Sequence, residues 1–130
     1  MKKPMYHPLP NGQFFNEDLL SIMINLSKKS KELFNELRNV NLELNIVTLA
    51  DIDKLSKNEQ ASLNKSLRQL KKINLFRKVI PFELYNSELN KVTHLPEKYT
   101  YMINPHLLKP WKFSLATQIW DLINPITQKE

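Results

Sequence analysis

Glycine occurs once in the chain, at Gly12, and cysteine does not occur at all. A single glycine excludes a P-loop and a dinucleotide fingerprint, since both need several positions without a Cβ at fixed spacing. Without cysteine there is no disulfide, no thiol nucleophile and no thiolate metal site, which points to a cytoplasmic protein. No apolar run approaches the roughly 18 residues that a membrane span needs. Met1-Lys2-Lys3-Pro4 has the charge of a secretion signal but no apolar segment behind it. No membrane partner is expected. Histidine is sparse too: His7, His94 and His106 lie in three different segments, without an i,i+4 pair. They suggest neither a metal site nor a general base. Asp51 and Asp53, two apart in a stretch expected to be helical, point to different faces and suit a helix start better than a carboxylate pair. Neither enzymatic activity nor a cofactor is expected.

What the sequence does hold is a single domain's worth of core and an uneven distribution of charge. The 130 residues are 42% hydrophobic, which is enough for one core. Nineteen Lys and Arg stand against thirteen Asp and Glu, a formal net charge of +6. Eight of the positives fall between Lys54 and Ile80, where Glu59 is the only acid, so this stretch carries +7 and the rest of the chain −1. Charge concentrated in this way marks one surface for a polyanion; a merely solvated helix face is the competing reading.

Residues 1–13, with three prolines and the one glycine, predict a flexible, extended arm. Residues 14–26 turn apolar and admit either a short helix begun at Asn16-Glu17-Asp18 or a buried strand. Ser27 is a good N-cap for a helix with Leu33, Phe34 and Leu37 at core spacing. The β-branched run Ile46-Val47-Thr48 predicts a strand, and residues 49–55 a short helix. Ser56-Lys57-Asn58-Glu59 matches a capping box, in which serine hydroxyl and glutamate each satisfy an orphan amide. The helix it opens extends to about residue 74, with Leu63, Leu67, Leu70 and Ile73 as its apolar stripe. Residues 76–80 and 98–104 are two further strands, stopped by Pro81 and Pro105 and able to pair antiparallel across the polar segment 82–97. A last helix is expected over 114–123, ending before Pro125.

Helix, strand, short helix, turn, long basic helix, strand, loop, strand is the element order of a winged helix-turn-helix, whose second helix enters the major groove of double-stranded DNA. The expected fold class is thus α+β, mainly α with a small β component. Residues 14–110 would be the winged-helix DNA-binding domain, and 111–130 a C-terminal helix packing on the core or on a second subunit. Opposite the leucine stripe the basic helix presents Asn58, Ala61, Lys65, Arg68 and Lys72, with Asn64 and Gln69 at the margins. Asparagine and glutamine can pair twice with adenine, arginine and lysine with guanine, and a small Ala61 permits close approach. The N-terminal turns reach the bases, which assigns Asn58, Ser62 and Lys65 to readout. Lys65 also counts among the phosphate contacts, beside Arg68, Lys71 and Lys72. In the wing, Lys91, His94 and Lys98 are candidates for phosphate. Tyr99 and Tyr101 form either a stacking surface for unpaired bases or part of the core.

The segments LSKKSKELFNEL (26–37), SKNEQASLNKSLRQLKKINLFRKV (56–79) and YTYMINPHLL (99–108) together resemble the RepL family of plasmid replication proteins. The telling feature is a hairpin return strand ending in Tyr-x-(Ile/Val)-Asn-Pro, here Tyr101, Ile103, Asn104 and Pro105. The resemblance covers residues 14–112. It implies sequence-specific binding to duplex DNA at an origin or operator, in plasmid or phage replication initiation or its control. A winged-helix transcriptional repressor is the nearest alternative. The apolar C-terminal segment leaves two further expectations. Trp111, Phe113, Ile119 and Trp120 would form a homodimer interface suited to a two-fold symmetric DNA site. Alternatively, Trp111, Phe113 and Trp120 would anchor a replication or regulatory protein partner on a winged-helix module that does not bind DNA.

Overall fold

The computed structural model describes residues 6–39, 41–49, 52–79 and 100–123. The fold is mixed α+β, with four α-helices and two three-stranded antiparallel sheets among the described residues. No helix among them is long and apolar enough to cross a membrane. The expected wing, with Lys91, His94, Lys98 and the adjoining Tyr99, lies outside the described residues, as do 1–5 and 124–130.

The arm expected over 1–13 contains ordered structure from Tyr6 onward. Strand β1 (Tyr6–Pro8) pairs antiparallel with β2 (Phe14–Asn16), matching Tyr6 to Asn16 and Pro8 to Phe14. The turn between them closes through Leu9 N–H to Gln13 O at 2.8 Å and Gly12 N–H to Leu9 O at 3.0 Å. Gly12 takes φ +90°, a region open to a residue without a Cβ. The proline-rich composition thus builds a hairpin. Residues 14–26 contain both structures the sequence admits: β2 ends at Asn16, whose side chain accepts the Asp18 amide and caps α1 (Glu17–Ile24).

Helix α2 (Lys28–Leu37) begins at Ser27 as expected, and β3 (Ile46–Thr48) follows. The short helix expected over 49–55 is only a 3-10 turn, Ile52–Lys54, followed by α3 (Lys57–Lys72). The predicted capping box is present, with Ser56 Oγ accepting the Glu59 amide at 3.1 Å and Glu59 accepting the Ser56 amide at 3.2 Å. The end of α3 is a Schellman motif, in which the Leu75 amide reaches Leu70 O and the Asn74 amide reaches Lys71 O. Asn74 holds φ +60°, the left-handed position where glycine is usual. Leu70 and Leu75, both fully buried, make the accompanying apolar contact.

The second sheet has the order β3-β5-β4, where β4 is Phe76–Lys78 and β5 is Thr100–Ile103. Val47 lies opposite Tyr101, and Phe76 opposite Ile103. Because strand side chains alternate, these four share one face and pack with Phe34, Leu37, Leu67 and Leu70 of α2 and α3. Ile46 and Met102 point the other way, where Val79 joins them under helix α4 (Phe113–Leu122). The C-terminal helix therefore packs on the chain's own sheet. Tyr101 is buried beside Phe76, so it belongs to the core and offers no stacking surface.

Strand β6 (Leu108–Lys109) joins β2 and ties the sheets together. The Ile103-Asn104-Pro105 ending makes that join. Asn104 Oδ1 accepts the His106 amide, while its Nδ2 donates to Asn74 O at the end of α3. A buried polar pair completes the connection: Gln13 donates to Asn45 Oδ1 at 3.1 Å, and Asn45 Nδ2 donates to the carbonyls of Ile103 and Leu108.

Candidate nucleic-acid interface

Helix α3 is held from below by its leucines and clear of protein above. Leu67 and Leu70 are buried, and Leu63 and Ile73 pack at the margin of the same core. On the opposite side Lys57, Asn58, Ala61, Asn64, Lys65, Arg68 and Lys72 are exposed. Lys57, Lys65, Arg68 and Lys72 make no side-chain hydrogen bond or ion pair among the described residues. Glu59, the one acid of the basic stretch, is folded back into the cap. The result is an outward helical face of four cations and two asparagines, uninterrupted by negative charge.

Not every residue assigned to that face lies on it. Gln69 turns toward α2, where its Oε1 accepts the Ser27 amide at 3.3 Å, the Ser27 hydroxyl at 3.1 Å and the Ser30 hydroxyl. It therefore anchors the start of α2. Ser62 is half-buried and accepts the Lys29 ammonium at 3.1 Å, so its hydroxyl serves a groove between the two helices. Lys71 is half-buried at the edge of the face. Asn58, Ala61, Lys65, Arg68 and Lys72 stand together as expected; Lys91 and Lys98 fall outside the described residues.

The groove beside α3 is a feature that sequence reasoning missed. It is about 550 Å³ and is lined by residues 27–30 of α2 and by Ala61, Ser62, Lys65, Ser66 and Gln69 of α3. Its signal in the sequence is the i,i+4 pair Ser62 and Ser66, which runs along one edge of the leucine stripe.

Of the expected dimer residues, Ile119 and Trp120 are buried on the inner side of α4 in the chain's own core. Phe113 is half-buried and meets His106 edge-on at 6.2 Å. Trp111 is 57% exposed, with its indole N–H donating to Asn11 O at 3.2 Å. Trp120, expected also as an anchor for another protein, is only 3% exposed.

Comparison with protein-family models, with curated proteins and with solved structures gave no match.

Proposed function

We propose that the chain is a winged-helix protein that binds double-stranded DNA sequence-specifically by laying α3 in the major groove. We further propose that it acts in plasmid or phage replication initiation or its control, as the likeness to RepL proteins implies. The observation that carries the reading is the outward face of α3, where Lys57, Asn58, Lys65, Arg68 and Lys72 are exposed and Glu59, the one acid nearby, is hydrogen-bonded to the Ser56 amide in the cap. A solvated helix of a stable protein commonly mixes both signs for i,i+4 pairing; this one forgoes such pairs on a face of a groove-sized rod. The sheet order β3-β5-β4, with α3 leading into β4, supports a winged helix-turn-helix. In this reading Asn58 meets base edges, Ala61 allows close approach, and Lys65, Arg68 and Lys72 hold phosphate.

The test is duplex affinity against salt, with fragments of the source replicon compared to unrelated DNA. Each phosphate neutralised contributes about −0.9 to the slope of log K against log salt. A steep slope with one fragment strongly preferred supports the reading. Weak, sequence-independent binding that disappears by roughly physiological salt makes the face merely charged.

A further inference from the structure

The groove between the start of α2 and the flank of α3 has the chemistry of an anion site. Ser27 caps the Ser30 amide at 3.2 Å, leaving the amides of Lys28 and Lys29 as open donors at the positive end of a ten-residue helix. That first turn contains no acid. Lys28, Lys29 and Lys65 line the groove, and no carboxylate does. Lysines at a helix N-terminus oppose the macrodipole, an arrangement that a bound anion relieves.

Ser66 supplies the independent observation. It lines the groove at 7% exposure, and its hydroxyl has no hydrogen-bond partner among the described residues. Without a protein partner, this hydroxyl is an open donor in a groove that three lysines also line, a setting suited to an oxyanion. Ser62 stands one turn before it and already holds the Lys29 ammonium at the rim.

We propose that this groove is a phosphate-binding subsite, taking one backbone phosphate of a duplex laid on α3. In that form the inference rests on the DNA-binding reading. The Lys28 and Lys29 amides and the Ser66 hydroxyl donate to the phosphate oxygens, and Lys29 and Lys65 supply the neutralising charge. Lys65 lies both on the exposed face and at the groove, which makes the subsite continuous with the DNA surface. Such an anchor fixes the angle at which α3 enters the groove and carries no sequence information itself.

The test follows backbone amide resonances of the full chain during titration with inorganic phosphate, against sodium chloride at matched ionic strength, and then with duplex. The Lys28, Lys29 and Ser66 amides should move saturably with phosphate and not with chloride, and Ser66→Ala should abolish the movement. Alanine favours the helix, so this variant keeps its fold. For duplex, Ser66→Ala should weaken binding about tenfold, the effect of one hydrogen bond to a charged acceptor. Lys29→Ala should reduce the salt slope by about one. If phosphate moves these amides no more than chloride, and Ser66→Ala binds duplex as the native chain does, the subsite is overturned while DNA binding stands. Should inorganic phosphate bind there without any duplex binding, the subsite holds for free phosphate and the DNA reading falls.

Discussion

The Arg77 guanidinium lies 4.0 Å over the ring of Trp120 and donates to the carbonyls of Trp120 at 2.7 Å and Ile123 at 3.1 Å. Arg77 is one of the eight cations of the basic stretch, yet strand alternation sends it to the α4 side of the sheet, away from α3. There it closes the C-terminal end of α4, which has no basic residue in its last turn. Burial lowers its pKa, and Asp121 opposes that shift. Arg77→Ala should cost about 2–4 kcal/mol of stability, from a cation–π contact and two charge-assisted hydrogen bonds. Urea unfolding measures this, and the salt slope of duplex binding at a temperature where the variant is folded should be unchanged.

Asn45 makes a comparable demand in the interior. It is fully buried at φ +63° and joins the β1–β2 turn to β5 and β6 through its side-chain amide. Asn45→Ala removes the partner of the Gln13 side-chain N–H and of two carbonyls, and places a poor residue in left-handed backbone. The expected loss is about 3 kcal/mol or more, read as a lower urea midpoint. Asn45→Asp should fare no better, because a carboxylate cannot donate to the carbonyls of Ile103 and Leu108.

Gly12 and Trp111 form a third sensitive contact. A Cβ on Gly12 would lie 2.7 Å from the Trp111 indole nitrogen, at a backbone φ of +90°. Gly12→Ala should therefore destabilise by more than about 1 kcal/mol and increase Trp111 fluorescence sensitivity to soluble quenchers. Trp111→Ala in the same background should recover part of that loss by removing the clash, leaving only the backbone strain.

Trp111 and Trp120 differ sharply although only nine positions of chain separate them. Trp120→Ala should cost about 3–5 kcal/mol, as expected for an indole buried against the sheet, whereas Trp111→Ala in the native background should cost much less. Thermal unfolding of the two variants separates them; equal losses would contradict the packing of α4.

The helices were legible where local chemistry decides them. Ser27, Ser56 and Glu59 announce two helix starts through caps that need no tertiary partner, and the leucine spacing of α3 identifies its inward face. The strands Ile46–Thr48 and Phe76–Lys78 were legible from β-branched and apolar patterning. What escaped depends on distant partners. Tyr6–Pro8 is a strand only because Gly12 turns the chain back onto Phe14–Asn16, and prolines alone suggest a loose arm. Nothing local distinguishes α4 packing on Ile46 and Met102 from α4 packing on another subunit. Likewise, Gln69 looks like an outward polar residue until α2 brings Ser27 and Ser30 to it, and Ser66 becomes notable only when the same approach encloses it.

The most direct test of the account is the salt dependence of duplex binding by the native chain and by Lys65→Ala/Arg68→Ala. These side chains are exposed and without protein partners among the described residues, so the double variant should keep the native thermal midpoint. The account predicts weaker binding to every fragment and a log–log slope smaller in magnitude by about two, one for each phosphate that is no longer neutralised. An unchanged affinity and slope would contradict the assignment of α3 as the DNA-binding helix.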